Sequence, residues 1–169
     1  MHPIVVLVKR AVEEYIKKAR VIKTPDTLTE EMAIKAGVFV CLKKHGQLRG
    51  CIGTIEPVTD CAAEEAIRNA ISSSTQDPRF SPVTKEELKD LEYSVDVLCP
   101  PEDIRDISEL DSKKYGVIVS KGIRKGLLLP DLEGVDSVEE QLRIAKLKAG
   151  IHPDDSDVRI QRFEVRRYK

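Results

Sequence analysis

Ile4, Leu7, Val8, Ala11, Val12, Tyr15 and Ile16 recur at helical spacing over residues 4–19, with Lys and Glu on the opposite face. That pattern predicts an amphipathic helix. Thr24 to Ala36 is polar and broken by Pro25, so it reads as a loop with one helical turn. "GVFVCLKK" is a strand that stops at His45-Gly46, a two-residue turn, and "QLRGCIGTI" returns as the second arm of a hairpin. After Pro57, Thr59 or Asp60 caps a helix through "CAAEEAIRNAI" that fades at Ser72–Ser74, with Glu64 and Glu65 at the positive end of its dipole.

"QDPRFSP" is loop, because two prolines so close exclude helix and central strand. Thr84 with Glu87 forms a capping box for a short helix. "LEYSVDVL" alternates, with Leu91, Tyr93, Val95 and Val97 on one face. "YGVIVSKGIRKGLLLP" is a second hairpin turning near Lys121-Gly122. Ser137 and Glu140 cap a helix ending at Gly150, and "VRIQRFEVRRY" closes the chain as one alternating strand. This order predicts an α+β fold with mainly antiparallel sheet flanked by helices.

Composition narrows the class. At 169 residues the chain fits a single domain over 1–169, with room for a smaller subdomain around 56–92. Charged residues make up 34%, the net charge is −1 and the pI about 6.3, a solvated surface rather than a nucleic-acid-binding one. The abundance of Lys, Arg and Glu leans towards a heat-tolerant source. "IVVLV" is too short for a signal h-region or a membrane span. Cys41, Cys51, Cys61 and Cys99 contain no C-x-x-C pair, and His2, His45 and His152 are scattered. Neither a zinc site nor a disulfide framework follows, no cofactor or metal is implied, and the plain reading is a cytoplasmic protein with free thiols.

The chemistry concentrates in "QLRGCIGTI". With a tight turn at His45-Gly46, Leu42 faces Arg49, Cys41 faces Gly50 and Val40 faces Cys51, leaving Cys41 and Cys51 on opposite faces. Arg49, Cys51 and Gly53 then share a face, and Gly50 and Gly53 admit a ligand or another backbone. Arg49 would favour the Cys51 thiolate, the reactive form. The alternative is a small core cysteine, a structural arginine ion pair and glycines that merely bend a strand. His45 lies too far along the strand to serve as a base for Cys51.

At "FVCLKKHGQLRGCIGTIEP" the chain resembles the AMMECR-type domain family over essentially its whole length. Leu48, Arg49, Gly50, Cys51, Ile52 and Gly53 stand as the family's hallmark hexapeptide. Asp77, Pro78, Arg79 and Phe80, then "SVDVL", "KGLLLP" and Lys148-Ala149-Gly150, follow in the family's order. Cys41 departs from a common Thr, Lys125 from Arg, and Asp131 from Gln. The resemblance implies two unequal subdomains with a cleft near the hexapeptide. It implies no established activity. It also implies association with a Memo-type protein and a radical S-adenosylmethionine enzyme, this chain resembling the first component of that set.

The candidate binding residues are therefore Arg49, Gly50, Gly53, Thr54, Asp77 and Arg79, with Cys51 as the one catalytic candidate. Asp77 and Arg79 offer a charge pair, or else a structural Asp-Pro turn with Arg79 capping a carbonyl, while Phe80 anchors the loop in the core. The leading expectation is a binding or accessory component taking a partner segment or small substrate. A cysteine enzyme using Cys51 as nucleophile or carrier is the second. RNA binding through Arg159, Arg162, Arg166, Arg167 and Lys169 ranks last, since alternation spreads those charges over both faces of an edge strand.

Overall fold

The apolar stripe at the start of the chain folds as α1 (Pro3–Lys18), with proline in the first turn and His2 as N-cap, accepting from the Ile4 N–H. Its buried residues, Ile4, Val5, Leu7, Val8, Ala11 and Val12, are the stripe itself. The computed structural model describes residues 1–169, and these divide into two units, Met1–Leu98 with Arg166–Lys169, and Cys99–Val165. Residues 56–92 fall inside the first. The fold is α+β, with two four-stranded sheets.

In the first unit, β1 (Val38–Lys44), β2 (Gln47–Gly53), β3 (Leu91–Leu98) and β8 (Val165–Tyr168) lie in the order β2-β1-β3-β8. β1 pairs antiparallel with both β2 and β3. The one-turn helix α2 (Glu30–Ala33) interrupts the early loop. Helix α3 (Ala62–Thr75) and α1 pack on the sheet face carrying Val38, Val40, Leu42, Tyr93, Val95 and Val97. Each such side chain, fully buried, contributes roughly 1.5–3 kcal/mol. The alternation read in "LEYSVDVL" is thus the inward face of β3.

The second unit holds β4 (Glu102–Asp103), β5 (Gly116–Lys121), β6 (Arg124–Leu128) and β7 (Arg159–Phe163) in the order β4-β7-β5-β6, with α4 (Val138–Ala149) packed on β5 and β6. Its core gathers Val117, Val119, Leu128, Leu142, Ala145 and Ile151. Ser137 accepts from the Glu140 N–H, and Gly150 closes α4 in the left-handed region. No helix is long and apolar enough to cross a membrane.

Three expectations change. The closing strand is two strands in two sheets, β7 and β8, separated at Glu164, because each half completes a different core. Of these, β7 is interior to its sheet, not an edge. Helix α3 is N-capped by Cys61 rather than by Thr59 or Asp60, and runs on to Thr75. Thr59 instead donates through its N–H and hydroxyl to the buried Glu65. The third change, in the register of the first hairpin, reshapes the candidate site.

Candidate functional site

The hairpin turns where the sequence indicated, with His45 and Gly46 both at positive φ, 52° and 76°, the two-residue turn whose twist suits a hairpin. Lys44 faces Gln47 and Lys43 faces Leu48, but Leu42 faces Gly50, so Arg49 is an extra residue in a β-bulge. Beyond it every pairing moves by one. Cys41, expected opposite Gly50 and on the other face from Cys51, lies directly across from Cys51.

The cause is visible at Gly50, where an added Cβ would sit 2.2 Å from the Ser73 carbonyl oxygen of α3. Only a residue without a side chain lets the helix backbone approach this strand, and the bulge delivers that residue to the helix face. A Cβ at Gly53 would meet the Phe39 ring at 2.2 Å. Both spaces are filled by the protein itself. No room for a ligand is left at either.

The bulge also re-aims Arg49. Its Nε and Nη2 donate to the two Glu87 carboxylate oxygens at 3.0 Å each, and Nη1 donates to the Ser81 carbonyl at 2.9 Å. The side chain is 14% exposed. Glu87 also accepts from Lys44 Nζ at 3.1 Å and from the Thr84 N–H at 2.9 Å. Hydrogen bonds from Arg49, ahead of the others, lower its pKa to about 2 against the pull of burial. Arg49 is a structural clamp between β2 and the turn before β3.

The guanidinium that serves Cys51 belongs to Arg79. β2 is the edge of its sheet, and both polar groups of the Cys51 peptide are met by the "DPRF" loop. The Cys51 N–H donates to Asp77 Oδ2 at 3.0 Å, and Arg79 Nη2 donates to the Cys51 carbonyl at 3.2 Å. Asp77 is buried and binds Arg79 through Nε at 3.0 Å and Nη2 at 2.8 Å. It also accepts the Arg79 backbone N–H. Those bonds, led by the Arg79 side chain, hold the Asp77 carboxyl well below the usual carboxylate range. Two side chains thus stand in for the next strand and close the free edge.

Arg79 itself remains 54% exposed. Phe80 is half-buried rather than a core anchor, with the Arg49 and Arg79 guanidinium carbons 5.9 and 5.5 Å from its ring centroid.

Cys51 is half-buried, and its thiol does not carry the lowered pKa expected of a nucleophile activated by Arg49. The hydrogen bond it shares with Cys41, burial and repulsion from a Cys41 thiolate push it up, while Arg79 pulls weakly the other way. Thr54 donates to Glu65 and accepts from Asn69 Nδ2 at 3.2 Å. Glu65, buried in α3, also accepts the Val58 N–H at 3.1 Å and the Thr59 N–H and hydroxyl at 3.0 and 2.7 Å. Burial opposes its ionisation, yet these bonds outweigh it and its pKa lies below the ordinary value. Glu65 pins the segment after β2. From the sequence it reads as a helix-dipole residue, with general-base work as the alternative.

The basic C-terminal residues find partners inside the protein. Arg159 forms two bonds with Asp103, Arg162 pairs with Glu102 and stacks on Tyr115 at 4.3 Å, and Arg167 binds Asp96 through two bonds of 2.7 Å. That takes three of the five from a nucleic-acid surface.

The AMMECR1 family model matches residues 5–168. A Thermotoga maritima protein is 58% identical over 99% of this chain and 98% of its own length. A Clostridium acetobutylicum protein is 55% identical over 99% of this chain, but the match spans 36% of that longer protein. The crystal structure of an uncharacterized protein from Pyrococcus horikoshii superposes with a TM-score of 0.89 at 38% identity, over 97% of this chain and 88% of that one.

Proposed function

The chain belongs to the AMMECR1 family, and we propose that it is a binding component, not a stand-alone catalyst, that docks an acidic segment of a partner protein against Arg79. The observation that carries this reading is the contrast between its two motif arginines. Arg49 is consumed by Glu87 and two carbonyls, whereas Arg79 is held rigid by a buried carboxylate yet stays half exposed. A guanidinium fixed in this way loses little side-chain freedom when it meets a carboxylate, and so it binds and discriminates well.

The proposed partners are a Memo-type protein and a radical S-adenosylmethionine enzyme, the two that the family resemblance implies. The Clostridium relative supports a role beside other machinery, since most of its length lies outside the match. A cysteine-nucleophile reading draws less support, because the Cys51 thiol is held protonated by its neighbour and by burial.

Affinity capture with those two proteins tests the proposal. Wild type is expected to retain at least one of them, and Arg79→Gln to weaken retention at least tenfold at a temperature where circular dichroism shows it still folded, its melting point lowered by the loss of the Asp77 pairing. Equal retention by Arg79→Gln, or no retention by wild type, overturns it.

A further inference from the structure

The bulge has a second result, independent of Arg79. The Thr54 N–H donates to the Val38 carbonyl directly opposite at 3.1 Å, so Val38 and Thr54 form a hydrogen-bonded pair of the β1–β2 ladder. Alternation makes Val40 and Ile52 the next hydrogen-bonded pair, and Cys41 and Cys51 the non-hydrogen-bonded pair beyond it. The outward direction of the Cys51 N–H and carbonyl, both taken by the "DPRF" loop, agrees. Side chains at such a pair point to one face and stand closest of any in an antiparallel sheet, with Cα atoms about 4.5 Å apart. That lies within the roughly 4.4–6.8 Å that a disulfide spans.

Both thiols are half-buried, and each is the largest influence on the other's ionisation. Ser94, Lys43, Asp96 and Arg79 are the polar groups acting on them. The pair titrates as a unit. A hydrogen bond from Cys51 leads the lowering of the Cys41 pKa, so the pair gives up its first proton more readily than a free thiol and holds its second.

We propose that Cys41 and Cys51 are a reversible dithiol–disulfide pair, oxidised by low-molecular-weight disulfides. The thiolate attacks one sulfur of the small disulfide, whose S–S bond breaks and releases a small thiolate that takes up a proton. The remaining cysteine, losing its proton to solvent, attacks the protein sulfur of the mixed disulfide. The internal S–S bond forms and the second small thiolate leaves, so two electrons pass from the protein to the small disulfide.

The test equilibrates the folded protein with mixtures of oxidised and reduced glutathione, quenches with acid, alkylates, and maps peptides by mass spectrometry. The expected result is one internal bond, Cys41 to Cys51, appearing and disappearing with the glutathione ratio, while Cys61 and Cys99 stay alkylated. A Cys61→Ser/Cys99→Ser double variant should form it unchanged. Cys41→Thr should instead accumulate a lasting glutathione adduct on Cys51 or resist oxidation altogether. A bond to Cys61 or Cys99, or free Cys41 and Cys51 at every ratio in the folded protein, overturns the proposal.

Discussion

Asp77 Oδ2 lies 3.0 Å from the backbone nitrogen of Cys51, so a buried carboxylate from one sequence motif covers the free edge of the strand formed by the other. The same carboxylate orients Arg79, whose Nη2 returns to the Cys51 carbonyl. The two motifs are thus one structural unit. Their meeting explains why an aspartate and an arginine flank that proline.

Asp77→Asn tests the unit. An amide keeps the shape but loses the charge that holds Arg79, and can put an N–H against the Cys51 N–H. Charge-assisted hydrogen bonds contribute about 1.5–3 kcal/mol. A loss of about 2–3 kcal/mol is expected, lowering the melting temperature by roughly 4–12 °C. A variant melting with wild type would refute the role.

The two glycines should differ. Gly50→Ala drives a methyl into the Ser73 carbonyl of a helix backbone that cannot step aside, and should cost about 3 kcal/mol or more. Gly53→Ala meets the half-exposed Phe39 ring, which can swing outward, and should cost about 1–2 kcal/mol. Chemical denaturation of both variants measures the order, and equal losses would contradict the packing described.

Glu87 makes stability depend on acid. Its carboxyl pKa is about 2 in the folded protein against an ordinary 4.5, so the folded state favours the ionised form. The stabilisation is present above about pH 4.5 and lost as pH falls towards 2. After solvent screening it amounts to roughly 1–2 kcal/mol. Glu87→Gln should be less stable at neutral pH and show a shallower decline between those values. Parallel curves for the two proteins would count against the ion pair.

Glu65→Gln should loosen the segment after β2. The native carboxylate accepts from two backbone N–H groups and two hydroxyls, and a glutamine would turn its own N–H donors on some of them. The expected cost is about 2–3 kcal/mol, with protease cleavage appearing between residues 54 and 61. Unchanged stability and cleavage would show that these bonds are dispensable.

Much of this was legible beforehand. Apolar periodicity located α1 and the inward face of β3, and His45-Gly46 marked the turn between β1 and β2, because those signals are local. The bulge at Arg49 was not legible, since it answers to the Ser73 carbonyl some twenty residues away in sequence. For that reason the ion pair of Arg49, read only as the alternative to a pocket role, had no visible partner, and Cys41, apparently incidental, lies opposite Cys51. Glu87 could be read as a helix cap through its spacing from Thr84, but its pairing with Arg49 depends on tertiary packing. The break at Glu164 was hidden because one alternation serves two sheets equally well.

In the proposed complex Arg79, not Arg49, meets the partner. Arginine-selective dicarbonyl labelling, read residue by residue by mass spectrometry, tests it with and without the captured partner. Labelling of Arg79 should run well ahead of Arg49 in the free protein and fall sharply when the partner is bound. Faster labelling of Arg49, or an Arg79 rate untouched by saturating partner, would contradict it.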